Sequence, residues 1–233
     1  YKMILSNVSL YLPFLVSVFT TIIGTAVGLI LTTLGAYVII QKDMPGRNLL
    51  SKYILITMIF NGGMIPTYIL IKELHLLNNF WVYIIPGLIS AFNMIVIRTF
   101  INGIPYSLIE SAKIDGAGDF GIFIQIILPL CKPVLATVAL FVAVGQWNSW
   151  FDSMLYCSAD NSLTTLQYEL MKLLSSTTTQ GASAEVMKNA GSIVTPTSIR
   201  AAITIVTAVP IICLYPFLQR YFVSGLTIGG VKE

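Results

Sequence analysis

The sequence predicts an all-α, polytopic transmembrane helical bundle. Three observations carry that expectation. Of 233 residues, 56% are hydrophobic and only 10% charged, whereas a soluble domain carries about 25% charged residues. A soluble fold of this size has no interior large enough for so much apolar side chain, and lipid removes the difficulty. Five runs, at 14–40, 49–71, 80–101, 134–157 and 199–222, reach the ~20 mostly apolar residues that a spanning helix needs. No alternating pattern marks a barrel, and no open sheet satisfies its backbone in lipid, so the runs are read as helices.

The first run, 14–40, contains no charge. A short turn follows, with Lys42, Asp43 and Arg47 around Pro45-Gly46. The second run carries Asn61-Gly62-Gly63 and Pro66 at its middle, which predicts a kink that either lines a pathway or packs tightly on a neighbour. The third run holds one amide, Asn93, and the fourth one acid, Asp152. Between them lies a long loop, 102–133, with Glu110, Lys113, Asp115, Asp119 and Lys132. The longest connection, 158–198, shows helical spacing at Leu163, Leu166, Leu170, Leu173 and Leu174. A small, Gly-rich tail, 224–233, closes the chain.

Lysine and arginine favour one orientation. With five spans, the loops 41–48 and 102–133 share a side with the C-terminus, and that side carries eight of the 13 basic residues. This places 102–133 in the cytoplasm and 158–198 outside. The chain begins at Tyr1 with no basic stretch before the first apolar run, so no signal peptide is read there, and a further N-terminal span is expected to be missing.

Several function classes lack support. The net charge of +3 comes without a basic run of the kind that grips nucleic acid. No G-x-x-x-x-G-K-[ST] cradle and no H-E-x-x-H pair occurs. Cys131, Cys157 and Cys213 lie far apart without metal spacing and read as small buried hydrophobes. His75 stands alone in a short connection, where an incidental surface role is the simplest reading. No metal site, no bound cofactor and no catalytic group is therefore expected.

The 102–133 loop is the informative part. Ser107 and Glu110 form an S-x-x-E pair, which predicts a helix capped at Ser107. Gly116 and Gly118 suit positions just past its end. The small residues Ser111, Ala112 and Ala117 would let another surface approach closely, and Glu110, Asp115 and Asp119 could set its register. A solvated loop lying on the membrane fits the same residues. An apolar stretch, 122–130, then stops at Pro129, and Pro133 punctuates the entry to the next run.

Glu110, Ala112, Gly116, Ile126, Leu128 and Pro129 fall on the six positions of an E-A-A, Gly, I-x-L-P pattern over twenty residues, with Ser111 replacing the middle Ala. The loop thus resembles the EAA loop of ABC (ATP-binding cassette) import permeases, which have a type I importer permease fold. Asp115-Gly116-Ala117 resembles the form common in the carbohydrate branch. Gly225-Leu226-Thr227 through Val231-Lys232 resembles the ending of the maltose-type second permease, and 42–47 and 62–68 resemble the LplC-type oligosaccharide and polysaccharide permeases.

The resemblance implies a non-catalytic membrane subunit of a carbohydrate importer in the bacterial cell membrane. Its implied partners are a second permease, two ATPase subunits that carry ATP and magnesium, an extracellular solute-binding protein and the lipid bilayer. It also implies that Glu110, Ser111, Ala112, Asp115, Gly116 and Ala117 couple the spans to the ATPase. Candidates for the substrate path are Asn61, Gly62, Asn93 and the cluster Gln146-Trp147-Asn148-Ser149-Trp150. Amides suit sugar hydroxyls and aromatic faces suit sugar rings. On a continuous helix 146 and 150 would share a face, as would 147 and 150. The tryptophans equally suit interfacial anchoring or packing. The rival expectation is an ATP-independent secondary transporter of a small polar solute, for which Asp152 is the available intramembrane acid.

Overall fold

The computed structural model describes residues 10–180, 201, 204, 205 and 207–213, with the backbone alone for 176–180. Most of the run 199–222, loop residues 181–198 and the tail 224–233 lie outside the described residues. Among the described residues the secondary structure is entirely helical.

Helix α1, Tyr11–Ile40, is the axis of the molecule. At 1.5 Å per residue its 30 residues extend about 45 Å, longer than a ~30 Å hydrocarbon core. Its buried face is built from small residues: Ser17, Thr20, Gly24, Gly28, Thr32 and Ala36, three or four positions apart. Its large side chains, such as Phe19, Ile22 and Ile30, point outward. This is the arrangement that lets helices approach closely in lipid, where apolar side chains gain nothing by leaving the tails. Threonine hydroxyls on this face bond back to the helix, as Thr33 does to the Leu29 carbonyl at 2.6 Å.

The second run is two helices. α2, Arg47–Ile59, and α3, Met64–Glu73, meet at a 115° elbow. The expected kink at Asn61-Gly62-Gly63 is therefore a full break. Asn61 Oδ1 accepts the Gly63 N–H at 2.9 Å, and Gly63 adopts φ 89°, ψ 171°, a region open to glycine alone. α3 ends at His75, which holds a left-handed φ of 56°. The His75 N–H reaches the Lys72 carbonyl and the Leu76 N–H the Ile71 carbonyl, a Schellman cap.

The third run opens as two 3₁₀ turns, Phe80–Tyr83 and Ile85–Gly87, then bends by 47° into α4, Ala91–Asn102. Ser90 caps α4 by accepting the Asn93 N–H at 3.3 Å. The 102–133 segment holds α5, Tyr106–Ile114, and α6, 119–130. α6 continues through the stretch expected to stop at Pro129. A π turn at Phe123–Ile127, closed by the Leu128 N–H on the Phe123 carbonyl, relieves the clash that proline imposes on the preceding turn. After a 79° bend at Cys131, α7 runs Lys132–Trp147. The fourth run breaks there and resumes as α8, Phe151–Tyr156. A 3₁₀ turn at Asn161–Leu163 precedes α9, Leu166–Gln180, which starts three residues later than the leucine spacing indicates because Thr164 and Thr165 serve as anchors. Among the described residues, α1 alone is by length and composition long and apolar enough to cross a membrane, and up to four spans result if each bent pair is one.

Two of the three buried apolar clusters among the described residues stack along α1. The first joins Ala36, Tyr37 and Ile39 of α1 to Met94, Ile97 and Ile101 of α4, Ile109 of α5, Phe123 and Ile127 of α6 and Val138 of α7. The second, toward the other end, gathers Val16, Ile71, Val82, Tyr83, Ile84, Tyr156 and Cys157. A buried polar knot secures α9 to it. Ser17 Oγ accepts the Leu166 N–H at 2.9 Å, Ser153 Oγ accepts the Thr165 N–H at 3.1 Å, and Thr165 Oγ1 donates to the Ser149 carbonyl at 2.9 Å.

Candidate functional site

α5 presents the E-S-A motif from a helix that is half embedded. Ile109 is buried and Ala112 half-buried against the first core, while Glu110, Ser111, Asp115, Gly116 and Ala117 are exposed. Ala112 thus seats the helix, and the other motif residues form its free side. The expected cap at Ser107 is corrected: the helix starts one residue earlier behind Pro105, whose carbonyl accepts the Leu108 N–H at 3.2 Å, and no side chain caps it. Proline pre-sets the entry φ, so Ser107 falls inside the first turn.

The other end of α5 explains the D-G-A spacing. The Ala117 N–H bonds the Ala112 carbonyl at 2.9 Å and the Gly116 N–H bonds the Lys113 carbonyl at 3.1 Å. This Schellman motif needs a left-handed residue between them, and Gly116 supplies φ 81°. The chain then reverses sharply, and Gly118 starts α6 in extended conformation.

Charge and hydrogen bonds tie this element to the end of α1. Lys113 Nζ lies 3.8 Å from Asp43 and 3.6 Å from Asp119. Lys42 Nζ stands 3.5 Å above the Tyr106 ring. The Tyr37 hydroxyl donates to the Asp119 carbonyl at 3.0 Å. Desolvation pulls the Lys113 ammonium down, but Asp119, Tyr106 and Asp43 outweigh it and leave its pKa above the ordinary lysine value. α5 is therefore attached to the turn 41–46 and to α6 by contacts that lie outside the motif.

Sequence reasoning missed three apolar side chains here. Leu108, Ile114 and Phe120 are exposed, Ile114 at 86%. Their signal was present: Ile109 and Ala112 define the inward face of α5, so Ile114 and Leu108 must lie off it. An exposed apolar rim beside a polar motif marks a surface that meets either another protein or the membrane.

The polar candidates of the helical core are not brought into one constellation. Asn61 bonds only within its own turn, and Gly62 faces open space. Asn93 is buried in the first turn of α4. Gln146 reaches across α1, where its Nε2 donates to the Tyr83 carbonyl at 3.2 Å. That carbonyl is freed by the 3₁₀ turn, and Thr32 Oγ1 lies 3.5 Å from a second one, that of Leu88. Gly24 makes the room: a Cβ there would come within 3.0 Å of the Gln146 amide.

The expected shared face of 146, 147 and 150 is corrected. α7 ends at Trp147, and Trp150 belongs to the entry of α8. The Trp147 ring is buried, meets Phe14 edge-on at 6.1 Å, and donates Nε1–H to the Thr207 carbonyl at 3.1 Å. Asn148 Nδ2 donates back to the Val144 carbonyl at 3.0 Å, and Trp150 is half-buried edge-on to Phe151. Ser149 Oγ donates to Asp152 at 2.9 Å.

Known proteins agree with this architecture along nearly the whole chain. The profile of the binding-protein-dependent transport system inner membrane component matches residues 3–228. The polygalacturonan/rhamnogalacturonan transport system permease protein YtcP of Bacillus subtilis (strain 168) is 42% identical over 233 residues, which cover 100% of this chain and 80% of the relative. Protein LplC of the same organism is 41% identical over 232 residues, 100% of this chain and 78% of LplC. A solved bacterial ABC transporter involved in the import of the acidic polysaccharide alginate superposes with a TM-score of 0.80 at 30% identity, covering 95% of this chain and 78% of that one. The chain belongs to the family of inner membrane components of binding-protein-dependent transport systems.

Proposed function

We propose that the chain is one of two permease subunits of an ATP-driven importer of an oligo- or polysaccharide. It works with a second permease, two ATPase subunits and an extracellular solute-binding protein. ATP and magnesium belong to the ATPase subunits, and this chain holds no catalytic group. The carbohydrate assignment is supported by the relatives, whose names include polygalacturonan, rhamnogalacturonan and arabinooligosaccharide transport.

The observation that carries the mechanism is α5: a short exposed helix ended by Gly116, bordered by Leu108, Ile114 and Phe120, and rooted in the first core by Ile109. In the proposed cycle α5 docks on the ATPase through Glu110, Ser111, Asp115, Gly116 and Ala117, while Ala112 seats it on the bundle. Closure of the ATPase pair moves α5, and the contacts to α1 and α6 pass that movement to the spans. ATP and the loaded binding protein favour the same conformation, which couples them. Asn93, Gln146, Asn148 and the Trp150 ring remain separate candidates along the path, with Trp147 as a packing anchor. The amides suit sugar hydroxyls, Gln146 and Asn148 once released from their present backbone partners, and the ring suits a sugar face. Asn61 and Gly62 form the elbow that lets α2 and α3 move separately. The secondary-transporter alternative is not favoured by the relatives, which are permeases of binding-protein-dependent or ABC transport systems.

The test is substrate-stimulated ATP hydrolysis and uptake by the reconstituted complex. Glu110→Lys together with Gly116→Leu is expected to leave assembly of the two permeases intact and to lower stimulated hydrolysis and uptake at least about tenfold, the loss of one charged contact and one backbone cap. Uptake that persists without ATPase subunits would overturn the reading.

A further inference from the structure

A basic cavity of about 580 Å³ opens between the turn 41–46 and the first turn of α2, lined by Lys42, Met44, Gly46, Arg47, Asn48 and Leu49. Two of the six are cations and none is an acid. Lys42 is exposed and Arg47 half-buried, and each has one contact that places it. Lys42 is seated on the Tyr106 ring, and Arg47 Nη1 lies 3.5 Å from the Ile40 carbonyl. Asp43, the acid beside them in sequence, is turned to Lys113. α2 adds amides to the same space. Gly46 caps it without a side chain, the Arg47 N–H goes to Met44 and the Leu50 N–H to Gly46, and those of Asn48 and Leu49 have no carbonyl one turn back.

Directly below, α2 rests on the first core through the partly buried Leu50 and Ile54, and Leu49, Tyr53, Ile56 and Ile59 on its other sides are exposed. A basic cavity that continues into the exposed apolar side of a helix fits a molecule with a phosphate at one end and hydrocarbon at the other. We propose that this cavity binds the headgroup phosphate of an anionic phospholipid of the cytoplasmic leaflet, with its acyl chains along α2. Charge selects an anionic lipid over a zwitterionic one, because a choline head would bring its own cation among Lys42 and Arg47. Continuity with α2 selects a lipid over a free phosphate ion. Because Lys42 also rests on Tyr106 of α5, the bound headgroup braces the helix proposed to couple to the ATPase. The inference shares with the proposed function only the orientation of the chain, and lipid retention is measured without any ATP turnover.

The experiment places the assembled transporter in nanodiscs of phosphatidylglycerol and phosphatidylcholine and measures retained phosphatidylglycerol by native mass spectrometry. Lys42→Gln with Arg47→Gln is expected to reduce its apparent affinity about thirtyfold, as for two surface charges. Lys42→Arg with Arg47→Lys keeps it, and Lys72→Gln, on the opposite side, leaves it unchanged. Equal retention in the double Gln variant overturns the proposal. So does displacement of phosphatidylglycerol by millimolar inorganic phosphate, which would mark a free-anion site. Loss of ATPase subunits with retention unchanged would instead mark a protein-docking face. Failure of both double variants to assemble would show that charge is not what these side chains supply, which also overturns it.

Discussion

Two residues in left-handed conformation show how one rule acts in opposite directions. Gly116 and His75 occupy the same position in two Schellman caps, at φ 81° and 56°. An L side chain there costs about 1–2 kcal/mol. Gly116→Ala is therefore expected to destabilise the α5 end by about 1 kcal/mol, although a Cβ would meet no atom within 4 Å. His75→Gly is expected to stabilise the α3 end by a similar amount. Hydrogen exchange of the Ala117 and Leu76 amides would show faster exchange in the first variant and slower in the second. The pair also says what His75 does: it ends a helix.

Gln146 supports a second prediction at this scale. Its bond to the Tyr83 carbonyl spans 63 positions in sequence and passes the space left by Gly24. Gln146→Leu is expected to cost about 0.5–2 kcal/mol, the range for hydrogen bonds between membrane helices. Gly24→Leu should cost about 1–3 kcal/mol by overpacking. In the double variant the two losses should not add, because both break one contact. Thermal unfolding of the purified complex in detergent measures all three.

At the scale of elements, the bends are what the apolar runs concealed. Hydropathy treats 49–71 and 134–157 as continuous, yet the first turns by 115° at Gly63 and the second stops at Trp147. Asn61-Gly62-Gly63 was legible as a weak point, because glycine and the Asx turn are local features. The arrest at Trp147 was not, because Thr207 and Thr165 hold that region from 60 and 16 residues away. Helix α5 shows a similar division. Its motif and its glycine end could be read directly, whereas its attachment to the 41–46 turn through Lys113 and Lys42 could not. The Lys113 bridges are long and Asp43 is largely exposed, so a double-mutant cycle on Lys113 and Asp43 should give below about 1 kcal/mol, falling further in high salt. A contact of that strength can break and re-form during a transport cycle.

For the whole molecule, the outward surface is inverted relative to a soluble protein. α1 turns small and hydroxyl residues inward along most of its length and Phe19, Ile22 and Ile30 outward, and α2 seats only the partly buried Leu50 and Ile54 against the first core. Lipid or a partner permease must cover these faces, since water cannot do so without penalty. Ile56→Asp, in the last turn of α2 and inside the apolar run 49–71, is expected to oppose membrane insertion by about 3 kcal/mol. A lower inserted fraction in a microsomal insertion assay checks it, with Lys52→Gln as a neighbour of little effect.

The sequence by itself determined the solvent, the helical class and the position of the E-S-A motif, whose resemblance pointed to the family. Each follows from composition, periodicity or residues close together in the chain. Only the tertiary structure decided where the apolar runs break, which face of α1 is inside, that Trp147 is enclosed while Trp150 is not, and that Gln146 serves a backbone carbonyl across α1. Those outcomes depend on which distant carbonyl or side chain lies within reach, and lipid, which offers a freed polar group no partner of its own, makes that reach decisive.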